Sequence, residues 1–112
     1  MTFYYIYAYQ PSSQTRRLKL GITNNLKNRQ QTFRQVTPFG RMILAMKVST
    51  RQAEKVLFKK LHHYRVKNEI FKMPVSVFEL ECAFLQTARE TDRRKQQHYV
   101  LIDRVASNGL PK

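Results

Sequence analysis

Leu18-Lys19-Leu20-Gly21-Ile22-Thr23 is the stretch on which the reading of this fold turns. It follows Phe3-Tyr4-Tyr5-Ile6-Tyr7-Ala8-Tyr9, a run of aromatic and branched residues. Both runs have strand composition. Between them, Pro11-Ser12-Ser13-Gln14-Thr15 is turn-forming, so residues 3–9 and 16–22 are expected to pair as a β-hairpin. Thr23 can then cap a helix with apolar positions Leu26, Phe33 and Val36. Pro38 and Gly40 interrupt the chain, and Arg41-Met42-Ile43-Leu44-Ala45-Met46-Lys47-Val48 suits a third, buried strand. Thr50 opens a second helix whose inward stripe is Ala53, Val56, Leu57, Leu61 and Tyr64. After a loop over residues 66–74, Ser76 and Glu79 form a capping box for a third helix carrying Phe78, Leu80, Ala83, Phe84, Leu85 and Ala88. That helix turns polar over residues 89–95, and residues 107–112 read as a loose tail.

The order ββαβαα implies a small α+β fold, a three-stranded and mainly antiparallel sheet flanked by helices with a C-terminal helical extension. At 112 residues the chain has room for one core. Residues 1–75 are expected to be the core unit, with the helix and tail of residues 76–112 packed on the same domain.

The charge pattern says what this surface faces. Nine Lys and Arg precede Glu54 (Arg16, Arg17, Lys19, Lys27, Arg29, Arg34, Arg41, Lys47 and Arg51), with no Asp or Glu among them. The net charge is +14. Such a surface suits a polyanion, and nucleic acid fits better than a membrane, since no apolar run approaches the roughly 18 residues of a spanning helix. The N-terminal run reads as a strand and not as a secretory leader, which leads to the expectation of a soluble, cytoplasmic protein. The single cysteine, Cys82, excludes an internal disulfide and a multi-Cys zinc site. Glu54, a lone carboxylate set against a basic surface, is a candidate ligand for the divalent cation that phosphodiester chemistry uses.

The run Phe3-Tyr4-Tyr5-Ile6, then Leu18-Lys19-Leu20-Gly21-Ile22-Thr23, then Arg29 eight residues after Gly21, resembles the core of the GIY-YIG endonuclease superfamily. Ala53-Glu54-Lys55-Val56-Leu57 and the later Tyr64-Arg65-Val66-Lys67-Asn68-Glu69-Ile70-Phe71 resemble its branch common in phages and large DNA viruses. The resemblance covers roughly residues 2–73. It implies that Tyr4 positions or activates the attacking water, with Tyr5 or Tyr7 taking that place under a shifted register. It implies that Arg29 holds the scissile phosphate and that Glu54 binds the metal, one Mg²⁺ or Mn²⁺. Lys19 stands where the superfamily usually has tyrosine, and serves either as base or as phosphate contact. Thr2 replaces the first glycine of the motif, and Phe33 and Phe58 stand where relatives carry side chains able to move a proton.

The expected partner is duplex DNA, gripped by Arg16, Arg17, Lys27, Arg34, His62, His63, Arg65, Arg93, Arg94 and Lys95. No membrane and no small-molecule cofactor are expected, and the chain is read as a monomer or weak dimer. His62 and His63, adjacent on a helix, are expected to face different ways. Glu69 is expected to pair with Arg65. The implied activity is metal-dependent nicking of one strand by a phage or mobile-element protein. A catalytically weak DNA-binding repressor or adaptor is the alternative, and a small RNA-binding protein is a third reading.

Overall fold

The computed structural model describes residues 3–12, 15–73 and 76–92, and the backbone of residues 101–103. Its elements are β1 (Tyr4–Gln10), β2 (Arg17–Thr23), α1 (Leu26–Val36), β3 (Arg41–Val48), α2 (Ala53–Lys60), β4 (Arg65–Lys67), β5 (Ile70–Lys72), α3 (Val77–Thr91) and β6 (Leu101–Asp103). A single turn of 3₁₀ helix, His62–Tyr64, joins α2 to β4.

The α+β class and the antiparallel pairing of β1 with β2 and β3 match the sequence expectation. The strand count does not. The sheet has six strands in the order β4-β5-β2-β1-β3-β6. Two of the additional strands lie in the segment expected to be a loop, residues 66–74. At three residues each, β4 and β5 are too short to show a period of two. Their hairpin depends on Asn68, which takes the left-handed conformation at φ 50°, and on Arg65 Nε–H, which donates to the Asn68 carbonyl at 2.7 Å. Asparagine tolerates that backbone better than most residues. The sixth strand, β6, pairs with β3 over Leu44–Met46.

β1 is the central strand, and six of its seven residues are buried. That explains its unbroken apolar composition, because both of its faces are covered. Ile6 and Ala8 point into a core with Leu18, Leu20, Leu44, Met46, Leu57 and Phe84, sealed by α2 and α3. Tyr5, Tyr7 and Tyr9 point the other way, into a smaller core with Leu26, Met42 and Ala45 that is covered by α1 through Phe33. One face of the sheet is therefore aliphatic and thickly covered. The other is built of tyrosines whose hydroxyls reach the rim.

Three local expectations are corrected. The helix α1 is capped by Asn25, whose Oδ1 accepts from Asn28 N–H at 3.0 Å. Thr23 serves one step earlier, its Oγ1 accepting from Asn25 N–H at 3.1 Å. Val36 and Phe78, counted among the apolar helix positions, are both exposed. At the start of α3, Ser76 caps Glu79 N–H at 3.2 Å, while the Glu79 carboxylate accepts from the Tyr64 hydroxyl at 2.7 Å and so ties α3 to the turn after α2.

Candidate active site

Strand register decides which tyrosine can join the basic residues. In the β1–β2 pair, Tyr9 lies opposite Lys19, Tyr7 opposite Gly21 and Tyr5 opposite Thr23. Directly paired residues share a face, so Lys19, Tyr7 and the α1 surface belong together. Tyr4 is on the other face, packed against the aliphatic core with Arg51 5.7 Å above its ring. The tyrosine placed beside this cluster is Tyr7, which the shifted register offers, and not Tyr4.

Gly21 makes room for it. A Cβ there would fall 2.8 Å from Tyr7 Cζ and closer still to the hydroxyl, so the phenol lies across the bare glycine backbone. Gly21→Ala is expected to force the ring out of place and destabilise the fold by about 1–3 kcal/mol, the usual cost of overpacking. Urea unfolding measures it, and an unchanged midpoint would remove the hydroxyl from that position.

The charged groups then converge. Burial pushes the Tyr7 phenol up to about 12, Arg29 pulls it down, and Glu69 and Glu54 push it up. Glu54, half-buried in the first turn of α2, is raised first by burial and then by Glu69. Arg51, Arg29 and the Ile22 backbone N–H oppose that rise. Tyr7 and Glu54 thus each lie in the fields of Arg29 and Glu69, and Tyr7 also in that of Glu54. Three separate elements and a hairpin loop deliver them: β1, α1, α2 and the β4–β5 turn.

Lys19 completes the group. Its ammonium is 3.7 Å from Glu69 and 4.9 Å from the centre of the Phe33 ring. Glu69 was expected to pair with Arg65, but Arg65 instead bonds the Asn68 carbonyl and lies 5.3 Å over Phe58. Lys19, Phe58, Arg65, Asn68, Glu69 and Ile70 line an open cleft of ≈ 600 Å³ beside the cluster. Glu69 is the residue that sequence reasoning underrated. Its signal was available: it is the second carboxylate of a chain whose first 53 residues have none.

The expected DNA contacts divide by position. Arg16, Arg17, Lys27, Arg34 and Arg65 are all exposed, and Arg65 alone of them lines the cleft. His62 and His63 are exposed, and against the expectation that they face different ways their ring centres are 3.9 Å apart in the 3₁₀ turn. Arg93, Arg94 and Lys95 lie outside the described residues. Among the described residues no group of three or more His, Cys, Asp or Glu could hold a metal ion. Glu54 offers one carboxylate, the number Mg²⁺ commonly takes when substrate phosphate and water complete its shell. It also fits chemically, since a cation beside it would offset both its burial and its repulsion from Glu69. No helix among the described residues is long and apolar enough to cross a membrane.

Compared with protein-family models, residues 3–85 match that of the T5orf172 domain. No curated protein and no solved structure matches the chain significantly.

Proposed function

The chain belongs to the T5orf172 domain family, a phage-associated nuclease-type domain, and from that premise we propose a divalent-metal-dependent DNA endonuclease that nicks one strand of a duplex. The observation that carries the reading is the meeting of a guanidinium, a tyrosine hydroxyl and a desolvated carboxylate beside a cleft holding Lys19.

Hydrolysis of a phosphodiester needs the phosphate charge neutralised, a water aligned behind phosphorus and support for the leaving oxygen. Arg29 can donate two parallel hydrogen bonds to the non-bridging oxygens, a geometry that a lysine cannot copy. Lys19, steadied between Glu69 and Phe33, adds a second positive charge at the cleft wall. With its phenol raised to about 12, Tyr7 stays protonated at neutral pH and orients a water by hydrogen bonding. Glu54 would hold the ion, which when bound supplies Lewis-acid stabilisation and a more acidic water. One such site acts on one strand per encounter, so a nick is the product. The contrary reading, a DNA-binding adaptor without catalysis, draws on Phe33 and Phe58, which border this cluster and cannot move a proton.

Supercoiled plasmid incubated with Mg²⁺ or Mn²⁺ separates the two. Nicked circles from the wild type alone, and none from Glu54→Gln, are expected. Binding by both proteins with cleavage by neither would establish the adaptor. Affinity should also fall with salt by about 0.9 log units per contacted phosphate for each decade of ionic strength.

A further inference from the structure

Phe39 is 90 % exposed, the most exposed large apolar side chain among the described residues, and Val36 beside it is 83 % exposed. Neither sits on a slack loop. The Tyr9 hydroxyl, anchored in the second core, lies 3.1 Å from the Thr37 carbonyl and 2.9 Å from Thr37 Oγ1. Thr37 is fastened in turn to the Phe33 carbonyl through its N–H at 2.8 Å and its hydroxyl at 2.9 Å. Gly40 N–H closes the Thr37-Pro38-Phe39-Gly40 turn on the Thr37 carbonyl at 2.9 Å. The Tyr9 ring packs where a Gly40 side chain would be, 2.8 Å from its Cβ position to Cε1. Pro38 fixes its own φ. The fold therefore spends a buried tyrosine, a proline and a glycine on holding one phenyl ring in water.

The surroundings indicate what the ring meets. Arg34, in the last turn of α1, and Arg41, at the start of β3, flank it and are both exposed, and no carboxylate precedes Glu54 in the chain. A second copy of this chain, also at +14, would be repelled from such a patch. A duplex would be drawn to it, and would offer an apolar base stack behind its phosphates. Apolar wedges framed by Arg and Lys are how proteins open a base step.

We propose that Phe39 is a wedge that enters the base stack of the bound duplex and unstacks one step. This rests on the reading of the chain as a DNA-binding nuclease. At about 1.5 Å per residue, the helix α1 carries the chain about 10 Å from Arg29 to Val36, so the turn that holds Phe39 enters the duplex several base pairs from the phosphate that Arg29 holds. A step opened there makes distorted or mismatched duplexes the better substrates.

The test uses Glu54→Gln protein, so that no cleavage intervenes, and a set of duplexes in which a fluorescent aminopurine is moved one position at a time. Fluorescence is expected to rise severalfold at one or two adjacent positions. Adding Phe39→Ser should abolish the rise and weaken duplex affinity about tenfold, whereas Phe39→Leu, still a wedge, should keep both. Circular dichroism checks that the exposed substitution leaves the fold intact. A saturated complex with quiet aminopurine throughout, or an equal rise with Phe39→Ser, overturns the proposal. So does quiet aminopurine together with self-association that Phe39→Ser removes, which would assign the patch to a second copy. Wild-type nicking is read separately: a protein that unstacks DNA but never nicks keeps the wedge and loses the nuclease, and one that nicks without unstacking does the reverse.

Discussion

Glu54→Gln is expected to lower plasmid nicking by about 10³-fold, the scale of losing a principal electrostatic stabiliser of the transition state, and at pH 7 to raise the temperature of unfolding. The two effects have one cause. The Glu54 carboxyl is held above its ordinary value of 4.5, mainly by burial and next by Glu69, against the pull of Arg51, Arg29 and the Ile22 N–H. A carboxyl whose folded value lies above its unfolded one binds more protons in the folded state. Its ionised form therefore costs stability at every pH above both values, and the cost disappears as pH falls through the folded value and then below 4.5. Gln cannot ionise, has nearly the same shape and can still accept from the Ile22 N–H, so the variant escapes the cost. The gap in melting temperature should be widest at neutral pH and close on acidification towards 4.5. Mg²⁺ should raise the melting temperature of the wild type and not of Glu54→Gln, because only a folded-state ligand shifts the equilibrium in this way. Glu54→Gln protein that melts below the wild type at pH 7, with no Mg²⁺-induced rise in either, would remove Glu54 from the metal site.

Much of this architecture was readable from residue order. The tyrosine-rich strand, the second strand paired to it and the Ser76 cap each state a local rule, and each stands where the rule places it. What was not readable depended on pairing between distant segments. The strands β4 and β5 have no periodicity of their own and exist because Arg17–Lys19 offers an edge to Ile70–Lys72. That same pairing brings the Glu69 turn against Lys19, so a carboxylate that looked like a loop stabiliser becomes part of the charged cluster. The exposure of Val36 and Phe78 was hidden for a related reason. A helical period shows that two positions share a face, but not how far the neighbouring layer extends over it. Phe33 is partly covered by Tyr7 and Tyr9, whereas Val36, one turn later, is exposed.

The register of β1 provides the second large effect. Tyr7→Phe should lower the nicking rate by about 10²–10³-fold, within the range for one positioned proton-bearing group, while Tyr4→Phe should leave it within about twofold. Sequence alone leaves both open, since a strand displaced by one residue exchanges its faces. The pairing of Tyr7 with Gly21 and of Tyr9 with Lys19 puts Tyr7 on the face that carries Lys19 and Tyr4 on the other. Tyr7 then has a hydroxyl lying across a glycine, in the fields of Arg29, Glu54 and Glu69. Tyr4 has an aromatic ring packed against the aliphatic core beneath Arg51, on the face of the sheet opposite Tyr7. Phe at position 7 keeps the ring that packs on Gly21 and Phe33, so the loss should fall on rate and not on the amount of folded protein or on duplex affinity. The pH profile adds an independent check. Because the phenol is raised to about 12, the wild-type rate should show no alkaline decline near the ordinary tyrosine value of 10.0. A decline at that value which vanishes in Tyr7→Phe would mean that the phenol is not desolvated as the fold requires. Loss of nicking in Tyr4→Phe with full activity in Tyr7→Phe would place the water-orienting hydroxyl on the aliphatic face of the sheet, where neither Arg29 nor Lys19 can share a phosphate with it.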